Sequence, residues 1–205
     1  MARAFADIAF TPAVRTQQTK MGSADAYARF LADDVTQPDV LGPEEVAFIA
    51  ARDGFYQASV SQTGWPYVQF RGGPVGFLKV LGPRMLAYAD FRGNRQYISV
   101  GNLSVNDRVS LILMDYPNRQ RLKLWGRARL IDATDDPALL TALHDPAYRG
   151  QPERAVQIEI EAFDWNCPRH IPRRFTEDEA FDEIATLRRE AEALRAQIRA
   201  LHSAS

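Results

Sequence analysis

The residue types best suited to chemistry lie in the segment DFRGNRQYISVGNL, residues 90–103. Gly93 and Asn94 allow a tight turn after a predicted strand, and Arg95 and Gln96 then fall in the predicted first turn of a helix. A guanidinium and backbone N–H groups at a helix start suit a dianionic phosphate, because charge-assisted hydrogen bonds are stronger than neutral ones. The segment therefore predicts a phosphate site; the alternative is solvated surface arginines beside a simple turn.

A second polar cluster lies on the predicted strand WPYVQFRGG. Strict alternation places Tyr67, Gln69 and Arg71 on one face, whereas Val68 and Phe70 point the other way. A buried core strand does not normally carry glutamine and arginine on one side, so these side chains meet either solvent or a polar ligand. An ordinary exposed barrel face is the alternative interpretation.

The segment WNCPRHIPRRF places Cys167 three residues before His170, a spacing that could pair a thiol with a base. Its arginines could recruit an anionic substrate. The simpler interpretation is a buried cysteine and a partly exposed histidine in a proline-fixed loop, since no third group is at hand to orient the base. One cysteine and three scattered histidines offer no second pair of ligands, so no metal site and no internal disulfide are predicted.

The elements that must position these residues are mainly strands. From Gly54 onward the chain has short segments of period-two hydrophobicity, which predict about six antiparallel strands. One helix is inserted before RVSLILMDY and another before the last strand. The connections at 61–66 and 116–120 are too short to hold helices, which excludes a parallel doubly wound sheet and favours a closed antiparallel barrel.

The C-terminal stretch, residues 176–202, is the clearest helix in the sequence. Thr176 followed by Glu179 resembles a capping box. Its apolar residues alternate spacings of three and four, as in the heptad seam of a coiled coil: Ile184, Leu187, Ala191, Leu194, Ile198 and Leu201. The pattern predicts pairing with a helix of another subunit; the alternative is a single amphipathic helix packed on its own barrel.

The composition limits the classes of partner. The chain has 205 residues, of which 46% are hydrophobic and 25% charged, and a net charge of -1, so it has no long-range attraction for nucleic acid or anionic membranes. It lacks an apolar stretch that could span a bilayer and the apolar core of a secretory signal, so we expect a cytoplasmic protein. The expected organisation is a helical lead-in at 1–42, a barrel domain at 43–175 and the heptad helix at 176–205.

Four segments in their order support a family resemblance: GWPYVQFRGG, MLAYADFRGNRQYISVGNL, NDRVSLILMDY and RLKLWGRARLID. Over about residues 43–166 the chain resembles the pyridoxamine 5'-phosphate oxidase-like FMN-binding split-barrel proteins. The resemblance implies a mainly β fold with helical additions, a six-stranded antiparallel split β-barrel with N-terminal helices and a long C-terminal helix. It also implies a homodimer that holds FMN between its subunits.

The resemblance implies nine cofactor-binding residues. Gln69 and Arg71 would line the first FMN strand, Tyr88 and Ala89 would flank the ring or ribityl chain, and Asn94, Arg95 and Gln96 would hold the phosphate. Arg121 and Trp165 fall where the family contributes groups from the partner subunit.

Two departures from the true oxidase bear on the substrate. Gln96 stands where a lysine usually follows the arginine, and the chain runs into a heptad helix where the true oxidase ends in its substrate-binding segment. The resemblance therefore does not extend to the vitamin substrate. It implies an FMN-dependent oxidoreductase that acts on a small organic substrate or electron donor. The alternatives are a non-catalytic flavin-binding, sensor or stress-related module, and the same barrel with a deazaflavin or haem.

Overall fold

The computed structural model describes residues 3–31, 38–165 and 168–203. Its chain divides into two compact units, residues 1–115 with 120–168, and residues 116–119 with 169–205. All the strands belong to the first unit. The predicted domain limits at residues 42 and 175 stay predictions.

In the part of the chain that the structure describes, seven antiparallel strands form one sheet in the order β2-β1-β5-β6-β7-β4-β3. They are β1 Gly54–Val60, β2 Pro66–Gly72, β3 Lys79–Gly82, β4 Met85–Phe91, β5 Arg108–Asp115, β6 Gln120–Asp132 and β7 Pro152–Trp165. The predicted mainly β fold is confirmed. The structure has seven strands where about six were predicted, a minor difference; the shortest, the four-residue β3, pairs with β4.

The sheet curls into a barrel. Arg71 of β2 forms an ion pair with Asp90 of β4, although these strands are not neighbours in the sheet. β5 shows how the sequence builds the inside: Val109, Leu111 and Leu113 are buried, and the residues between them are half-buried. Each such side chain contributes about 1.5 to 3 kcal/mol by leaving water.

The core has two main parts, one on each face of β4. Leu86 and Tyr88 belong to the main hydrophobic cluster, whereas Ala87 and Ala89 belong to a second cluster that also contains Leu140. Successive side chains of a strand point to opposite faces, so this division follows directly from the strand geometry.

Over the described residues the chain has seven α-helices: α1 Arg3–Ala9, α2 Pro12–Lys20, α3 Ala24–Ala28, α4 Pro43–Ala50, α5 Ile98–Leu103, α6 Pro137–Leu143 and α7 Glu177–Ser203. Pro43 occupies the first turn of α4, where its missing N–H is harmless. The capping box of α7 is confirmed, since the Thr176 N–H donates to Glu179 at 2.8 Å and the Glu179 N–H donates to the Thr176 hydroxyl at 3.3 Å. No helix in the described part of the chain is long and apolar enough to cross a membrane.

Candidate cofactor site

A cavity of about 280 Å³ lies between β2, the end of β4 and the loop that leads into α5. Five of the predicted cofactor residues line it: Gln69, Arg71, Asn94, Arg95 and Gln96. The two polar clusters that the sequence singled out, about 25 residues apart, thus meet at one place in the fold.

A buried carboxylate and two half-buried guanidiniums form one wall of this cavity. Asp90 accepts a hydrogen bond from Arg71 Nη1 at 2.6 Å and another from Arg154 Nη1 at 3.0 Å. The side chains of Arg71, Asp90 and Arg154 are only 13%, 7% and 14% exposed. Arg154 Nη2 also pairs with Glu153 at 3.4 Å, so the two guanidiniums of this wall face two carboxylates that hold them in place.

Arg71 keeps an unused donor at this wall. No group in the described part of the chain accepts a hydrogen bond from its buried Nε. A buried donor without an acceptor costs about 1 to 3 kcal/mol, more when it is charged, so an acceptor on a ligand at this position would remove that cost. The group that fits a cationic planar fork is a carboxylate or phosphate.

The predicted start of the helix α5 is wrong, because the residues before it form a loop. α5 begins at Ile98, so Arg95, Gln96 and Tyr97 precede the helix instead of forming its first turn. Arg95 and Tyr97 have φ values of 62° and 52°, which a right-handed helix cannot contain, and the Asn94 side chain accepts a hydrogen bond from the Gln96 N–H at 3.2 Å. Two left-handed non-glycine residues cost about 1 to 3 kcal/mol each, a strain that clusters at binding sites.

Arg95 lies on the solvent side of the cavity. A hydrogen bond to Tyr97 raises its pKa above the ordinary arginine value, and the Tyr97 hydroxyl itself donates to Glu153 at 3.2 Å. The guanidinium therefore stays charged at every physiological pH and can attract an anion to the cavity mouth.

Gln69 is held in one orientation by a residue that the sequence did not single out. The buried Ser99 hydroxyl of α5 donates to Gln69 Oε1 at 2.8 Å, which leaves the amide NH₂ as the donor that Gln69 offers to the cavity. Asn102 Nδ2 of the same helix donates to the Ser59 hydroxyl of β1 at 3.0 Å. These two bonds fix α5 against the sheet on which the cavity is built.

A smaller cavity of about 110 Å³ reaches Tyr88 and Ala89, and both cavities share Arg71 and Asp90. Tyr88 is fully buried, its hydroxyl donates to Gln57 Oε1 at 2.8 Å, and burial raises its pKa well above the ordinary tyrosine value. The Ala89 side chain belongs to the second cluster on the other face of β4.

Residues 41–165 match the family model of pyridoxamine 5'-phosphate oxidase. The chain belongs to this family. The predicted resemblance is thereby confirmed, over nearly the stretch from which it was drawn. Comparison with proteins of curated function gives no match.

Among solved structures, HupZ from Group A Streptococcus is 12% identical, with 66% of this chain and 100% of that chain covered and a TM-score of 0.50. An FMN-binding protein from Syntrophomonas wolfei is 12% identical over 60% and 83%, with a TM-score of 0.47. A protein related to general stress protein 26, of the pyridoxinephosphate oxidase family from Clostridium acetobutylicum, is 18% identical over 66% and 94%, with a TM-score of 0.44. At these identities the similarity concerns the fold alone.

Two of the nine residues assigned by the pyridoxamine 5'-phosphate oxidase resemblance, Arg121 and Trp165, are not among the residues that line the two cavities. The Trp165 indole donates to Glu45 Oε1 at 2.7 Å and packs edge-on against Phe48 at 4.8 Å, so it ties β7 to α4 within one chain. Their contribution to a site in a partner subunit stays a prediction. Cys167 lies outside the described residues.

The outer face of β1 and β2 is unusually apolar for a surface. Val68 and Phe70 of β2 are 59% and 58% exposed, Tyr56 of β1 is also exposed, and Phe70 packs edge-on against Tyr56 at 5.4 Å. The polar residues of β2 on the opposite face are half-buried. The interpretation of the polar side as an ordinary exposed barrel face is therefore wrong. A surface strand of a monomer turns its polar residues to solvent and its apolar residues inward, whereas β2 does the reverse.

Proposed function

We propose that this member of the pyridoxamine 5'-phosphate oxidase family is a homodimeric FMN-dependent oxidoreductase that acts on a small organic substrate. The observation that carries the proposal is the half-buried Arg71 in the wall of the cavity, whose buried Nε has no acceptor in the described part of the chain. FMN is the flavin whose single terminal phosphate fits such a position.

The charges around the cavity favour an anion. Arg71, Arg95 and Arg154 supply three positive charges, and Asp90 and Glu153 supply two negative ones. Asp90 holds both half-buried guanidiniums in place, so their orientation does not have to be established when the phosphate arrives. Gln69 adds a neutral donor, and Arg95 adds charge at the mouth. These residues would hold the phosphate and the adjoining chain of the cofactor.

A second copy of the chain would cover the apolar face formed by Tyr56, Val68 and Phe70. Phe70 also lines the smaller cavity beside Arg71, so this face is continuous with the proposed cofactor site. Burying exposed aromatic side chains is the main source of free energy in homodimer interfaces. The resemblance assigns Arg121 and Trp165 to the same shared site, and both remain part of this proposal.

FMN, when bound, supplies the redox chemistry by accepting and releasing a hydride or an electron pair. The residues of the chain bind it, orient it and keep water away, and no protein nucleophile is required. Gln96 and the heptad helix replace the lysine and the terminal segment of the true oxidase, so we propose a substrate other than pyridoxamine 5'-phosphate.

The proposal is tested by titrating the purified protein with FMN and, in parallel, with riboflavin, which has the same ring but no phosphate. We expect tight binding of FMN and much weaker binding of riboflavin. Equal affinities would refute the phosphate assignment, and failure to take up either would refute the flavin itself. Tight binding of haem or a deazaflavin in place of FMN would establish one of the alternatives.

Activity is tested separately on the FMN complex. After anaerobic photoreduction, candidate oxidants are added and the return of the oxidised flavin spectrum is followed. Reoxidation accelerated by one class of oxidant supports an oxidoreductase. Indifference to every oxidant would contradict it and leave a flavin-binding module.

A further inference from the structure

The helix α7 carries a row of exposed apolar side chains along one side, here called the stripe. It spans 27 residues and is therefore about 40 Å long. Leu187 and Leu194 are 54% and 59% exposed, and Ile184 is exposed as well. A monomeric protein rarely leaves so long a row of large apolar side chains in water, so the stripe marks an interaction surface.

The residue types along the stripe indicate what covers it. Numbered as heptads, the a positions are Ile184, Ala191 and Ile198, and the d positions are Leu187, Leu194 and Leu201. Two of the three a positions hold the β-branched isoleucine, and all three d positions hold leucine. This combination favours a pair of parallel helices. We propose that α7 forms a parallel, two-stranded, in-register coiled coil with α7 of a second copy of the chain.

The charges beside the stripe favour the parallel orientation independently. Glu183 and Glu190 occupy g positions, and Arg188 and Arg195 occupy e positions. In a parallel pair, each g residue faces the e residue five positions later in the other helix. Glu183 then meets Arg188, and Glu190 meets Arg195, on both sides of the coil.

An antiparallel pair would bring together the wrong charges. There, g positions face g positions and e positions face e positions, so glutamates would meet glutamates and arginines would meet arginines. Like charges at these positions act against pairing. The same four charged residues therefore favour the parallel coil and disfavour the antiparallel one. This coil goes beyond the proposed function and does not depend on a flavin.

Disulfide trapping in the full chain tests the orientation and register. Cys167 is the only cysteine, so Cys167→Ser provides a background without thiols. Leu187→Cys and Leu194→Cys are introduced separately, and Ala196→Cys, on the outer f position, is the matched control. A disulfide requires Cα atoms within about 7 Å, which a d layer of a parallel coil satisfies and an f position does not.

We expect mild oxidation to convert both d-position variants to covalent dimers and to leave the Ala196→Cys variant monomeric on a denaturing gel. An antiparallel pair can place at most one of the two d positions opposite itself, so trapping at only one overturns the parallel register. Equal trapping at all three indicates random collision and overturns the coil. Absence of trapping at both d positions means that another surface covers the stripe.

A charge exchange tests the role of the flanking residues. In the Leu194→Cys background, Glu183→Arg with Glu190→Arg should cause a several-fold loss of covalent dimer, because only arginines then flank the seam. Adding Arg188→Glu and Arg195→Glu exchanges every pair and should restore the dimer. An unchanged yield after the first exchange overturns the proposed pairing. The readout does not use flavin, so failure of the proposed cofactor leaves these results interpretable.

Discussion

Replacement of Arg71 by methionine tests the proposed phosphate site most directly. Methionine keeps the unbranched stem to about the position of Nε but removes every donor. Arg71 Nη1 donates a hydrogen bond to Asp90 at 2.6 Å, and Arg71 Nε remains available to donate to a ligand. The change should therefore weaken FMN, whereas riboflavin, which has no phosphate, should bind as before.

The size of the effect follows from the hydrogen bond that is lost. A hydrogen bond to a charged group contributes about 1.5 to 3 kcal/mol, which corresponds to a roughly 10- to 150-fold increase in the Kd for FMN. Asp90 keeps its bond to Arg154 at 3.0 Å, so the free energy of unfolding should fall by less than the roughly 3 to 5 kcal/mol typical of a buried charge left alone. Arg71→Lys should bind FMN with intermediate affinity, since lysine keeps the charge but not the planar fork.

The assay is a calorimetric or fluorescence titration of each variant with FMN and with riboflavin. Arg84→Met is the matched control, because Arg84 also pairs with a carboxylate, Glu159 at 2.9 Å, but is not among the residues that line the cavity. An unchanged FMN affinity in Arg71→Met, or an equal loss for riboflavin, would refute the reasoning.

Three further changes probe the surroundings of the site. Ser99→Ala frees the amide of Gln69 to rotate and should raise the Kd for FMN by about 2- to 12-fold in the same titration, as expected for a neutral hydrogen bond. Tyr88→Phe removes a buried hydrogen bond and should lower the free energy of unfolding in urea by about 1 to 3 kcal/mol at neutral pH. Burial raises the pKa of Tyr88 in the folded protein, so the stabilisation by the neutral hydroxyl is complete below the unfolded-state pKa of about 10. Above that pH the free energy of unfolding of the wild type should fall by about 1.4 kcal/mol per pH unit as Tyr88 loses its proton on unfolding. The Tyr88→Phe variant should lack this pH-dependent fall. Phe70→Asp should halve the light-scattering mass of the proposed dimer, whereas Met21→Asp, at another exposed apolar residue, should not.

Local patterns were sufficient wherever neighbouring residues decide the conformation. The alternation in β5 predicted its buried and half-buried faces, and the pairing of Thr176 with Glu179 predicted the start of α7. The order of the strand segments was sufficient to predict the family. These features depend on residues a few positions apart, whose geometry is set by the period of the strand or helix.

The parts of the site that the sequence did not reveal depend on strand register and long-range contacts. Asp90 and Arg154 are 64 positions apart and meet because β4 pairs with β7 in one register. Ser99 and Gln69 meet because α5 is fixed against the sheet. The helix also starts three residues later than predicted, since the backbone at Arg95 adopts a left-handed conformation that no local propensity favours.

By itself, the sequence determined the strands and helices, the family and the two polar clusters, because each depends on residues that lie close together along the chain. Only the tertiary structure decided that these clusters share one cavity, that a buried carboxylate orients two arginines in its wall, and that β2 turns its apolar face outward. The reason is physical: which side of a strand faces the core, and which distant charges become neighbours, are set by the curl and register of the whole sheet.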